Sequence, residues 1–489
     1  MHPQFCRRVV VTCLIAGLGA PCVVSAAAAA RLPPEVLIAL ERAKVPPEAV
    51  AATLQEAGSA EPGWAWHARQ PVNPASLMKL VTTFAALDLL GPAWTWSTPV
   101  WLQGSLRNPG PEGVLEGNVV IKGSGDPKLV LERVWLLLRK VRQAGVREVR
   151  GDIVLDRSAF SDAEQSPGDF DGEPLRPYNA QADALLLNYK SLLLTFTPDP
   201  LRGVASIVAE PPLAGVRVDS AVPLGSAACD TWRNALKPDA TDPARIRFQG
   251  TYPVSCGEKV WPQAYADAKS YNARLIEALW RESGGALGGS VRDGAAPSVK
   301  PTFEVTSPPL ADVVRDINKF SNNLMAQQLF LTLGLQLRGA GSADAARDVL
   351  QPWLADKLGD RAVDVVIDNG SGLSRESRIS ADALALLLQR AWASPVMPEF
   401  VSSLPVSGLD GTLRRSPGMT MAKVAGRAHL KTGSLRDVIA VAGYLLAPNG
   451  KRYVLVAIIN HPNANAARPA LDALVEWALS PRAQASLRD

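Results

Sequence analysis

Two apolar runs near the C-terminus, Val438–Leu446 and 453–459, flank the turn Pro448-Asn449-Gly450. An Asn-Gly between two such runs is a strong short-range hairpin signal, and their unbroken apolar character makes this a buried hairpin. A chain carrying it must build a covered sheet. One cover is visible nearby. Leu471, Leu474, Val475 and Ala478 recur at helical spacing within 469–479. Just upstream of the hairpin stands Lys431-Thr432-Gly433-Ser434, on a strand that leads into it.

The rest of the chain is ordinary in composition. Of 489 residues, 47% are apolar and 20% charged, with a net charge of +4. These proportions exclude a disordered, collagenous or coiled-coil protein, and the charge balance excludes a nucleic-acid footprint. The length suits roughly three domains at about 150 residues each. Arg7 and Arg8 precede an apolar run over 9–20, then Val24-Ser25-Ala26. This order reads as a secretory signal over residues 1–26, which predicts export to the periplasm. The other reading, an uncleaved anchor, meets an apolar run that is short for a membrane span. Cys6, Cys13 and Cys22 fall in this segment, leaving Cys229 and Cys256. In an exported protein these two form either one disulfide or two buried thiols.

Familiar catalytic patterns are missing. There is no His-Glu-x-x-His, Cys-x-x-Cys, Gly-x-Ser-x-Gly or phosphate-binding loop, and only four histidines in all. A nucleophile here must find another base. Ser76-Leu77-Met78-Lys79 opens a helical pattern that runs through Phe84 and Leu87 to Gly91-Pro92. Three residues apart, Ser76 and Lys79 share one face of the first turn. A lysine packed among apolar residues loses its proton more readily and can activate the serine. Backbone N–H groups at a helix start suit an oxyanion.

The Lys-Thr-Gly strand adds a binding surface. Gly433 lets a substrate backbone lie close, and Lys431, Thr432 and Ser434 can hold a carboxylate by charge and hydroxyl hydrogen bonds. A Ser-x-Asn occurs twice, as Ser270-Tyr271-Asn272 inside a helical pattern and as Ser321-Asn322-Asn323 at a break between two patterns.

The ordered set Ser-x-x-Lys, Ser-x-Asn, Lys-Thr-Gly resembles that of penicillin-binding proteins and class A β-lactamases. The gap of 245 residues between Ser76 and Ser321 is similar to that of the D-alanyl-D-alanine carboxypeptidase/endopeptidase family, the low-molecular-mass class C penicillin-binding proteins. That family inserts extra domains between its first two motifs. The resemblance selects Ser321 and Asn323 over Ser270 and Asn272. Three more stretches look like the same family: Gly123–Pro127, Asp368–Arg375 and Leu404–Thr412. Asn322 stands where the family often has Asp.

The resemblance implies an α+β fold: a β-lactamase/transpeptidase-like domain, an antiparallel sheet flanked by helices, built from residues 31–98 with 300–489. Residues 99–299 would form a β-rich insert of two subdomains. It implies a serine D,D-peptidase that releases terminal D-Ala from peptidoglycan stem peptides and cleaves D,D-crosslinks. Ser76 would be the nucleophile, Lys79 its base and Ser321 a proton relay. Asn323, Lys431, Thr432, Gly433 and Ser434 would hold substrate. Arg375 stands open between substrate contact and a surface ion pair. No cofactor or metal is implied. The expected partners are peptidoglycan peptides and, as covalent inhibitors, β-lactams, with no nucleic acid and at most peripheral membrane contact. A serine β-lactamase, a Ser-Lys esterase and an inert wall-binding protein are the rival readings.

Overall fold

The computed structural model describes residues 31–59, 63–161, 166–239, 241–414 and 424–486. The secretory segment read at 1–26 lies outside them. The apolar hairpin forms the middle of a five-stranded antiparallel sheet. Val438–Leu446 pairs with Arg452–Asn460, and Ala428–Leu435 and Val50–Glu56 flank the pair. Trp64–Trp66 closes the far edge, leaving Ala428–Leu435 as the other. Both hairpin strands are buried along almost their whole length, because each face is covered. Val438, Ala440, Ala442, Val454, Val456 and Ile458 share a hydrophobic cluster with helices Met78–Leu90, Leu310–Phe320, Asn323–Arg338, Ala343–Leu358 and Ala381–Trp392. Arg468–Ala478 packs against the two hairpin strands from outside this cluster, and Pro34–Arg42 packs on that helix. Each large aliphatic side chain so buried contributes about 1.5–3 kcal/mol of transfer free energy.

Local pairing sets where the helix Ala381–Trp392 begins. Ile379–Ser380 pairs with Pro71–Val72, and the Ser380 hydroxyl caps the helix by accepting the Ala383 N–H at 3.1 Å.

Between Trp96 and Ser307 the chain builds two further groups of strands. The first rests on the hairpin Ser97–Arg107 and Val114–Lys122, with Phe303–Thr306 antiparallel on one side. Short strands, among them Glu148–Val149 and Ile153–Asp156, run parallel on the other. Helices Leu131–Gln143 and Tyr271–Glu282 complete its core. The second group includes Ser191–Asp199, Val204–Glu210 and Lys259–Ala264. Its separate core gathers Phe196, Trp232, Phe248 and Tyr252, and within it Cys229 and Cys256 are bonded with Cα atoms 5.0 Å apart.

The two ends of this excursion meet. Ser97 is paired with Thr306. Trp96 N–H donates to Ser307 Oγ at 2.9 Å, and Leu310 N–H donates to Trp94 O at 2.7 Å. The helix Leu310–Phe320 thus starts beside the point where the chain left Met78–Leu90.

Candidate active site

Ser76 lies one step before the helix that the spacing predicts, in a 3₁₀ turn, Ala75–Leu77, ahead of Met78–Leu90. The cause is Ala75, whose φ of 48° is left-handed. Such a conformation costs a non-glycine residue about 1 kcal/mol and needs outside support. Asn73 provides it. Its Oδ1 accepts the Ala75 N–H at 2.9 Å and its Nδ2 donates to Ser374 O at 2.8 Å. Its backbone exchanges two further bonds with the Asn460 side chain, at 2.9 and 3.0 Å.

Lys79 is fully buried. Its Nζ lies 3.0 Å from Ser76 Oγ, 2.6 Å from Asn323 Oδ1 and 2.6 Å from Ser371 O. Burial, and then the charge of Lys431, push its pKa well below the usual lysine range. The set of partners is chemically specific. Asn323 Oδ1 and Ser371 O are acceptors only, so when the amine is neutral they take both of its N–H bonds and its lone pair is left for the Ser76 hydroxyl. The polar partner of that hydroxyl is therefore an amine and not an imidazole.

Ser321 ends the helix Leu310–Phe320 in the left-handed region, at φ 55° and ψ 38°. Asn322 caps the next helix, Asn323–Arg338, its side chain accepting the Met325 N–H at 3.0 Å. Asp serves equally well as such a cap, which explains why Asn is tolerated there. This break turns Asn323 to Lys79 and Ser321 to Lys431, whose Nζ lies 2.8 Å from Ser321 Oγ. Lys431 is also fully buried, and burial lowers its pKa to about 7. The competing Ser270-x-Asn272 stands at the start of the helix Tyr271–Glu282, in the first of the two strand groups, where Asn272 Nδ2 donates to Leu185 O at 2.8 Å.

The strand Ala428–Leu435 lies against the serine turn. A Cβ at Gly433 would stand 2.9 Å from Pro74 O and 3.3 Å from the Ala75 Cβ. Thr432 and the exposed Ser434 follow the same strand, and Thr432 Oγ1 is 2.7 Å from Thr412 Oγ1. From the other side, the loop Asp368–Ser374 is fastened to the serine helix. Thr82 Oγ1 donates to Gly370 O at 2.7 Å, and a Cβ at Gly372 would stand 1.9 Å from Ala75 O. Arg375 stands apart from this cluster. Its Nη1 pairs with Asp437 Oδ1 at 2.7 Å, and its guanidinium lies 4.9 Å over the Phe170 ring.

Ser76, Lys79, Ser321, Asn323 and Lys431 are therefore joined through two lysine-centred sets of hydrogen bonds, and Gly433 sits beside the serine turn. Sequence reasoning passed over the supporting roles of Asn73, Asn460, Ser371 and Thr412. Asn73 before Pro74 carries a turn signal that could have been read. Asn460 carries none, since it only ends a strand.

A family model for D-Ala-D-Ala carboxypeptidase 3 (S13) matches residues 37–480. The chain belongs to that family. It is accordingly a serine-type D,D-peptidase of the penicillin-binding class. Among curated relatives, the D-alanyl-D-alanine carboxypeptidase of Actinomadura sp. (strain R39) is 29% identical over 418 residues, covering 81% of this chain and 74% of that protein. The D-alanyl-D-alanine carboxypeptidase DacB of Haemophilus influenzae is 22% identical over 387 residues, covering 79% and 80%. The crystal structure of penicillin binding protein 4 (dacB) from the same organism superposes with a TM-score of 0.71 at 21% identity, over 90% of this chain and 99% of that one. The α+β fold expected from the resemblance is the fold of this relative. Among the described residues, no group of three or more His, Cys, Asp or Glu side chains is placed to hold a metal ion, and no helix is long and apolar enough to cross a membrane.

Proposed function

We propose that this D,D-peptidase works through an acyl-enzyme on Ser76. The observation that carries the reading is the environment of Lys79: a buried amine 3.0 Å from Ser76 Oγ with two carbonyl acceptors at 2.6 Å each. Neutral Lys79 takes the Ser76 proton as Oγ attacks the carbonyl of the penultimate D-Ala. Backbone N–H groups of Ser76 and Ser434 receive the oxyanion. Each such donor is worth about 10²–10³ in rate. Ser321, hydrogen-bonded to Lys431, passes a proton to the leaving amine, and the C–N bond breaks. Asn323 hydrogen-bonds the peptide, while Thr432, Ser434 and the charge of Lys431 receive the terminal carboxylate, with Gly433 leaving room for the backbone. Water then hydrolyses the ester. Arg375, its charge shared with Asp437, would meet only a distal part of the substrate.

The same bond occurs in crosslinks, so the site serves an endopeptidase reaction as well as D-Ala release. β-Lactams, acylating Ser76, would be covalent inhibitors. We read the protein as periplasmic, a reading supported by the peptidoglycan substrate and by the secretory order of residues 1–26. We also read residues 31–98 with 300–489 as the catalytic domain and 99–299 as an insert of two subdomains, supported by the two separate cores and the pairing of Ser97 with Thr306.

Mass spectrometry after incubation with penicillin tests the nucleophile. The wild-type protein gains one adduct and Ser76→Ala gains none; an adduct on the variant removes Ser76 from the role. Incubation with crosslinked muropeptides should release D-Ala and split dimers together. Rapid turnover of penicillin without D-Ala release would favour a β-lactamase.

A further inference from the structure

The segment Leu404–Arg414 touches both the end of the helix Leu310–Phe320 and the strand Ala428–Leu435. It runs beside the first part of the edge strand, where Leu430 N–H donates to Pro405 O and Ser407 N–H to Ala428 O, both at 2.9 Å. Three consecutive residues then make three different contacts. Asp410 Oδ2 pairs with the buried Lys319 Nζ at 2.6 Å, while Oδ1 accepts the Val406 N–H at 2.7 Å. Gly411, at φ +56°, lies so close to the Lys319 backbone that a Cβ would stand 2.5 Å from Lys319 O. Thr412 Oγ1 then reaches Thr432 Oγ1 at 2.7 Å. Lys319 is two residues from Ser321, and Thr432 is next to Lys431. Residues 410–412 thus bracket the Ser-x-Asn helix end to the Lys-Thr-Gly strand, independently of the Lys431–Ser321 bond.

Hydroxyl chemistry gives this bracket a direction. Each threonine hydroxyl has one proton and two lone pairs, whereas a carboxylate only accepts. Thr432 can donate to a carboxylate only if its proton is not spent on Thr412. Thr412 must then be the donor of the pair, and donation into Thr432 also strengthens the outgoing bond. We propose that Thr412 is a specificity-determining positioning residue: held by Lys319 and Asp410, it donates to Thr432 and aims the Thr432 hydroxyl at the substrate's terminal carboxylate. This rests on the assignment of Thr432 to carboxylate binding.

The test compares kcat/KM for a D-Ala-ended peptide and its carboxamide counterpart. In Thr412→Val, which keeps the shape and loses the hydroxyl, the preference for the carboxylate should fall about tenfold, the worth of one hydrogen bond to a charged group. The change should lie in KM with kcat retained, and the melting temperature should stay at the wild-type value. Thr412→Ser should restore the preference. Asp410→Asn, which loosens the bracket, should move the ratio the same way. An unchanged ratio in Thr412→Val, an equal loss on both substrates, or no rescue by serine would overturn the inference. A wild-type protein that neither releases D-Ala nor takes a penicillin adduct on Ser76 would instead sink the underlying reading.

Discussion

At the scale of single residues, the proposed chemistry turns on two buried amines. In that proposal Lys79 is neutral when it takes the Ser76 proton, and burial followed by the nearby Lys431 charge favours that state. Acylation by penicillin should therefore rise with pH along an acidic limb, as the neutral fraction of Lys79 grows. Removing the Lys431 charge with Lys431→Met relieves the repulsion that lowers the Lys79 pKa, so the limb should move to higher pH. Stopped-flow acylation across pH 5–9 measures it, and the apparent values belong to the coupled pair. A limb that stays or moves down would contradict the coupling. The same lysine carries a stability signature. Its folded pKa of about 7 lies below that of an unfolded lysine, about 10.4. The unfolded chain then binds more protons between those values, so stability should increase as pH rises from about 7 towards 10 and fall on the way back. Melting curves at both ends of that window should show a larger rise for wild type than for Lys431→Met.

At the scale of elements, the site depends on close approach between segments that glycine and asparagine permit. Gly433→Ala would force the Lys-Thr-Gly strand away from Pro74 and Ala75. A displacement near 1 Å costs on the order of 10²-fold in rate, so penicillin acylation should fall by about that factor with little change in melting temperature. Asn73→Ala removes two side-chain hydrogen bonds from the turn before Ser76. Leaving buried partners unmet costs about 1–3 kcal/mol, which urea denaturation should register alongside slower acylation. These elements were unequally legible. The hairpin, the C-terminal helix and the break at Ser321 follow from periodicity and turn chemistry. The left-handed Ala75 does not, because alanine carries no signal for positive φ. Its conformation is imposed by Asn73, Asn460 and Ser374, three groups far apart in sequence.

At the scale of the whole molecule, residues 99–299, which we read as an insert, leave and rejoin the larger sheet-and-helix core at one place, since Ser97 pairs with Thr306. A disulfide 27 residues in span, inside the second core of the insert, should then matter to that core and not to the chemistry. Closing a loop of this length contributes roughly 3 kcal/mol. Cys229→Ser with Cys256→Ser should lower the melting transition of the insert by that order while penicillin acylation stays within about twofold. A large loss of acylation would show that the second core supports the site around Ser76 directly. The cysteine count alone left a bridge and two free thiols both open; the fold brings the two Cα atoms to 5.0 Å with the sulfurs bonded.

What the amino-acid sequence determined unaided was local or compositional: the buried hairpin, the helix starts, the scarcity of histidine, and the ordered set of motifs built on Ser76, Ser321 and Lys431. Each follows from the periods of strand and helix or from the identity of the side chains present. What the tertiary structure alone decided was which distant groups touch. Ser371 O and Asn323 Oδ1 reach Lys79 across 292 and 244 residues, and Thr412 reaches Thr432. Arg375, which sequence left open, pairs with Asp437. Burial, and with it the depressed pKa of both lysines, is likewise a property of the assembled core, because desolvation depends on what surrounds a charge in space and not on its neighbours along the chain.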